Sequence, residues 1–126
     1  MSLDEILEFA DGRPLVLDIQ HDSCAPCQDI APGFEALMER TKETYPDTLF
    51  FNIDAMDFAN RDLLMNGLKI SSVPSFRIYV NGELSASVNG GNNFDQVEAE
   101  LQKAIAKHEV LSDDGLNIVD DTSDNV

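Results

Sequence analysis

Tryptophan is absent from this chain of 126 residues, and cysteine and histidine occur only twice each. Two cysteines cannot build a disulfide-stapled scaffold, and with 43% apolar residues the single expected domain needs no such staple to fold. Basic residues are scarce as well. Eight Lys and Arg stand against 24 Asp and Glu, a formal net charge of -16. That deficit excludes a phosphate-binding surface, so neither nucleic acid nor an anionic membrane is an expected partner. The acidity suits a basic partner surface or simple solubility. Long apolar runs are missing too: none reaches the roughly 18 residues of a membrane span. The first residues carry Asp4, Glu5, Glu8 and Asp11 and do not read as a targeting signal. The expected compartment is therefore a reducing cytoplasm, where two close cysteines point to redox or metal chemistry.

What is present reads as alternating helices and strands. Ser2 and Glu5 have the spacing of a capping box, and Leu3, Ile6, Leu7 and Ala10 form the apolar stripe of a short helix. Asp11-Gly12-Arg13-Pro14 breaks it. Leu15 to Ile19 is nearly all apolar and too short for a helix, which predicts a buried strand with one charge, Asp18, in its middle. A helix is expected from the cysteines to about Lys42, with Ile30, Phe34, Leu37 and Met38 inward and Pro32 as a kink. Thr48 to Ile53 predicts a second strand, and Asn60 to Asn66 a short helix ended by Gly67. Asn81-Gly82 between two strand-like runs, Ser75 to Val80 and Glu83 to Val88, predicts a tight hairpin. A last helix is expected from about Asn93 to Lys107, with Phe94, Val97, Leu101 and Ile105 inward. This order implies an α/β fold, a central mixed sheet with helices on both faces.

Ser23-Cys24-Ala25-Pro26-Cys27 is the chemistry-bearing segment. Cys24 falls just after a strand and at the start of a helix, where unsatisfied N–H groups and the helix dipole favour a thiolate. Cys27 falls one turn further on, close enough for a disulfide and pointing inward. The residues alone leave other readings open. The pair is also half of a zinc site, although two histidines and no third cysteine leave the cage short of ligands. An iron–sulfur cluster shared between chains and a pair of inert core thiols are the remaining alternatives.

From Leu15 to Lys107 the chain resembles the thioredoxin family. Cys24-Ala25-Pro26-Cys27 resembles the family's Cys-Gly-Pro-Cys, Pro32 its helix proline, and Val73-Pro74-Ser75-Phe76 its cis-proline segment. Gly82-Glu83 matches the hairpin turn, Gly90 a glycine beside the active site, and Asp18 the buried carboxylate six residues before the first cysteine. The resemblance implies a thioredoxin fold over residues 1–107, with a sheet of about four strands. It implies reduction of protein disulfides with Cys24 as nucleophile, Cys27 as resolving thiol and Asp18 as proton acceptor. Pro74 would be cis, pressing against the cysteine pair and leaving the Val73 backbone open to an extended substrate. Ala25, Pro26, Val73, Pro74 and Gly90 would form the docking patch. No cofactor is implied beyond the redox-active disulfide. The expected partners of a monomer are protein disulfides and an upstream dithiol or flavin reductase.

Several positions depart from the family pattern. Ser23 stands where the family has tryptophan, Gln20 where it has an aromatic residue, and Phe50 where a lysine usually partners the buried carboxylate. Gln28 and Asp29 follow the second cysteine in place of a basic residue, and the family's first strand has no counterpart. Without the lysine, desolvation of Asp18 is expected to act unopposed and raise its pKa. Residues 108–126 contain no Lys or Arg and read as an acidic, disordered tail. Within it, Leu116 to Val119 is the stretch able to pair with a sheet edge. The alternative function is an adaptor of the same fold that binds a basic partner, with the cysteines only sensing redox state. A disulfide isomerase or oxidant would need an oxidising compartment.

Overall fold

The computed structural model describes residues 2–90 and 94–118, with side chains through residue 109. The chain opens with α1 (Leu3–Ala10), capped as its sequence predicts. The Ser2 N–H donates to Glu5 Oε1 at 2.8 Å and the Glu5 N–H to Ser2 Oγ at 3.2 Å. The helix stops at Asp11, which is left-handed at φ 51°. The Arg13 side chain then donates to the last carbonyls, those of Phe9 and Ala10.

Four strands form one mixed sheet in the order β2-β1-β3-β4: β1 (Leu15–Gln20), β2 (Leu49–Asp54), β3 (Ser75–Val80) and β4 (Glu83–Asn89). β1 pairs parallel with β2 and antiparallel with β3. Its central place explains its apolar run, since both faces are covered. Val16 points into a core formed with Phe34 and Leu37 of α2 (Ala25–Thr44) and with Val97, Leu101 and Ile105 of α3 (Phe94–Ile118). Leu15, Leu17 and Ile19 point the other way, into a second core with Ile6, Ala10, Leu63 and Leu64. Phe34 organises the first core, with ring centroids 5.7 to 6.4 Å from those of Phe50, Phe76 and Phe94. The β3–β4 hairpin turns at Asn81 and Gly82, both at positive φ (57° and 78°), as the Asn-Gly pair requires.

The fold differs from expectation in two places. The helix expected over Asn60 to Asn66 is a single 3-10 turn, Phe58–Asn60, followed by a π-type turn, Leu63–Gly67. Gly67 does not end it through a left-handed φ; that conformation falls at Lys69, φ 55°. Gly67 serves close packing instead. A Cβ there would meet Leu63 Cδ1 at 3.3 Å and Leu3 Cβ at 3.6 Å. The second difference is α3, which continues past the expected end near Lys107 to Ile118. No proline interrupts that stretch, and acidic side chains are compatible with a solvated helix. The expected tail is therefore helical over 108–118, and the strand proposed from Leu116 is not formed by its first three residues. Asn93 and residues 119–126 lie outside the described residues.

Candidate active site

The two cysteines form a disulfide across the N-terminus of α2, with Cα atoms 5.2 Å apart. Cys24 is the N-cap residue, and its Sγ accepts from the Cys27 backbone N–H at 3.1 Å. Pro26 sits in the first turn, where a missing N–H costs no helical bond. Pro32 lies inside the same helix. Cys24 keeps 7% of its surface and Cys27 1%. The asymmetry runs in the expected direction, but Cys24 is less open than anticipated because its sulfur is turned onto the helix start. Ala25 and Pro26 are exposed beside it, and Gln28 ties the segment down by donating to the Asp22 carbonyl.

The Val73–Pro74 peptide is cis, as the resemblance implied. Pro74 is buried, and its carbonyl accepts from the Gly90 N–H at 2.8 Å, which joins the two loops. The Val73 backbone makes no hydrogen bond among the described residues. Ser75 Oγ donates to the Ser72 carbonyl at 2.6 Å and holds the start of β3.

Asp18 is 2% exposed. Alternation along β1 places Val16, Asp18 and Gln20 on the face covered by α2, the helix that begins at the cysteines. Burial pushes the Asp18 carboxyl from 3.8 up to about 7, against the amides of Asn52 and Gln20 that favour its charged form. The expectation of unopposed desolvation is corrected here. The lysine position is Phe50, which packs into the core, but Gln20 Nε2 donates to Asp18 Oδ2 at 2.6 Å and Asn52 Nδ2 at 3.3 Å. Asp18 Oδ1 is buried without a hydrogen-bond partner among the described residues.

Sequence reasoning missed these two amides, having read Gln20 only as a lost aromatic residue. The two-residue spacing from Asp18 was the available signal. It also missed an apolar groove of about 460 Å³ that begins at Val73. Met56, Phe58, Met65 and Ile70 line it, with Phe58 79% exposed and Arg61 over its ring at 5.9 Å. Met56 and Met65 are exposed there. No group of three or more His, Cys, Asp or Glu able to hold a metal occurs among the described residues. Nor is any described helix long and apolar enough to cross a membrane.

A helix-capping Cys-X-X-Cys disulfide, a cis-proline loop and a buried carboxylate on a central strand define a thiol–disulfide oxidoreductase of thioredoxin fold. The thioredoxin family model matches residues 3–103, and the chain belongs to that family. It is 34% identical over 106 residues to a thioredoxin of Geodia cydonium, covering 83% of this chain and 89% of that one. It is also 34% identical over 99 residues to a chloroplastic F-type thioredoxin of Brassica napus, covering 79% of this chain and 50% of that one. Among solved structures, the long form of spinach chloroplast thioredoxin f superposes with a TM-score of 0.67 at 29% identity, covering 82% of this chain and 83% of that one. A Schistosoma mansoni thioredoxin gives the same TM-score at 30% identity, covering 82% and 90%. The family exchanges protein dithiols and disulfides, which favours that function over the adaptor reading.

Proposed function

We propose that the chain reduces client protein disulfides in the cytoplasm, working as a monomer recharged by an upstream dithiol or flavin reductase. The observation that carries the reading is the helix start itself: Cys24 Sγ caps α2, and Cys27 lies sheltered one turn inside. In the reduced protein Cys24 thiolate attacks a client sulfur, and the other client sulfur leaves as thiolate. Cys27 gives its proton to Asp18 and attacks Cys24 Sγ. The Cys24–Cys27 bond forms, the bond to the client breaks, and the client leaves fully reduced. Two electrons pass from the dithiol to the client.

Pro74 shapes the docking loop, and the Val73 backbone, which makes no hydrogen bond among the described residues, offers an edge for an extended client strand. In this reading Ala25 and Pro26, exposed beside the cysteines, and Gly90, bonded to Pro74, complete the docking patch, and the groove of Met56, Phe58 and Met65 takes an apolar client side chain. A neighbouring structure, 27% identical, is a thioredoxin f2 in complex with ferredoxin:thioredoxin reductase, which supports an upstream reductase as partner. Insulin reduction driven by dithiothreitol tests the reading. Wild type accelerates it and Cys24→Ser does not; equal rates would refute the role of Cys24.

A further inference from the structure

The carboxylate of Asp18 has two oxygens in different situations. Oδ2 accepts from Gln20 Nε2 at 2.6 Å, along the same strand face, and from Asn52 Nδ2 at 3.3 Å, across the parallel pair in which Asp18 stands opposite Asn52. Oδ1 is buried and has no hydrogen-bond partner among the described residues. An oxygen that accepts two N–H bonds is committed as an acceptor, and a proton there would cost one of them. The free oxygen is the one that can carry it.

We propose that Gln20 and Asn52 are positioning residues of the resolving step: by clamping Asp18 Oδ2 they leave Oδ1 as the oxygen that takes the Cys27 proton. The proposal rests on the reading of Asp18 as acceptor. In the step, the S–H bond of Cys27 breaks and an O–H bond forms at Oδ1, directly or through one water. The sulfur lone pair then forms the Cys27–Cys24 bond, and the electron pair of the Cys24–client bond leaves with the client sulfur. No outside oxidant or reductant enters. The two amides do a second thing, because each stabilises the carboxylate over the carboxylic acid. They keep enough of the basic form for a proton to be taken near neutral pH in a site whose burial works against it.

The groups around Asp18 leave this pair as its polar control. On β2 the same face carries Phe50, Asn52 and, one step beyond, the exposed Asp54, which accepts from the Met56 N–H. On β3 the opposite residue is Phe76, while Arg77 points to the other face, with Tyr79. Helix α2, which Cys24 caps and which holds Cys27, also carries Asp29, Glu35, Glu39, Arg40, Lys42 and Glu43. No charged side chain is among the causes that set the Asp18 pKa.

The test uses the full chain, reduced and reacted with 5,5′-dithiobis(2-nitrobenzoate). The first thionitrobenzoate marks attack by Cys24, and the second marks resolution by Cys27. The rate of the second phase is followed against pH for wild type, Gln20→Leu, Asn52→Leu and Asp18→Asn, each checked for fold by circular dichroism. Gln20→Leu is expected to move the midpoint of that profile up by about one pH unit, slowing resolution several-fold below the midpoint. Asn52→Leu moves it the same way and less, in keeping with the longer bond. Asp18→Asn removes the titration. If Asp18→Asn removes it while neither amide variant moves the midpoint, or moves it down, the proposal is overturned and the acceptor role of Asp18 stands. If Asp18→Asn leaves the profile intact, the acceptor reading fails and the proposal with it.

Discussion

The Cys27 backbone N–H donates to Cys24 Sγ at 3.1 Å, so the first sulfur caps the helix that carries the second. Helix N-termini stabilise negative charge, which favours the Cys24 thiolate once the pair is reduced. In the reduced protein, iodoacetamide at neutral pH is therefore expected to modify Cys24 at least about tenfold faster than Cys27. Peptide mass mapping after a short pulse reads the ratio. Equal labelling would contradict the assigned order of the two sulfurs.

Asp18 makes stability depend on pH with an unusual sign. Its carboxyl moves from 3.8 to about 7 on folding in the disulfide form. Between those values the folded protein holds a proton that the unfolded chain has released, so stability falls as pH rises through the window. The full difference is on the order of 4 kcal/mol. Asp18→Asn in the oxidised protein should be close to neutral at pH 3.5 and stabilising by a few kcal/mol at pH 8. Urea denaturation at the two pH values checks it, and a pH-independent effect would contradict the assignment.

Phe34 ties α2 to the sheet and to α3 through three ring contacts. Phe34→Ala is expected to cost about 3–5 kcal/mol in urea denaturation. Arg40 and Glu98 also link α2 to α3, by an ion pair at 3.1 Å, yet both side chains are well exposed. Arg40→Ala should change stability by less than about 1 kcal/mol.

If the groove beyond Val73 docks clients as proposed, it separates large from small substrates. Phe58→Asp is expected to raise KM for a protein disulfide by roughly tenfold, the loss of one partly buried aromatic contact. A small disulfide that cannot span from Cys24 to the groove should show little change. Steady-state kinetics with insulin and with cystine make the comparison. Equal losses for both would place Phe58 outside client docking.

Much of this was legible in the residues. β1 announces itself by an apolar run that only a two-sided strand explains, and the Asn81-Gly82 turn and the Ser2/Glu5 cap are local codes that tertiary packing had no reason to override. The cysteines, the cis Pro74 and the burial of Asp18 came from motif spacing and resemblance. Other features depend on contacts distant in sequence. The amide of Asn52 reaches Asp18 only through strand register, and the groove exists because the turns between β2 and β3 leave Met56, Phe58 and Met65 on the surface. The extent of α3 was misread because acidic composition reports on burial and not on backbone hydrogen bonding.

The most direct test of the central claim is the equilibrium redox titration of Cys24 and Cys27 in a dithiothreitol series. One reversible two-electron transition is expected near the value of about -270 mV found for thioredoxin itself. Absence of a reversible disulfide between the two residues would contradict the claim that this helix start carries electrons to client disulfides.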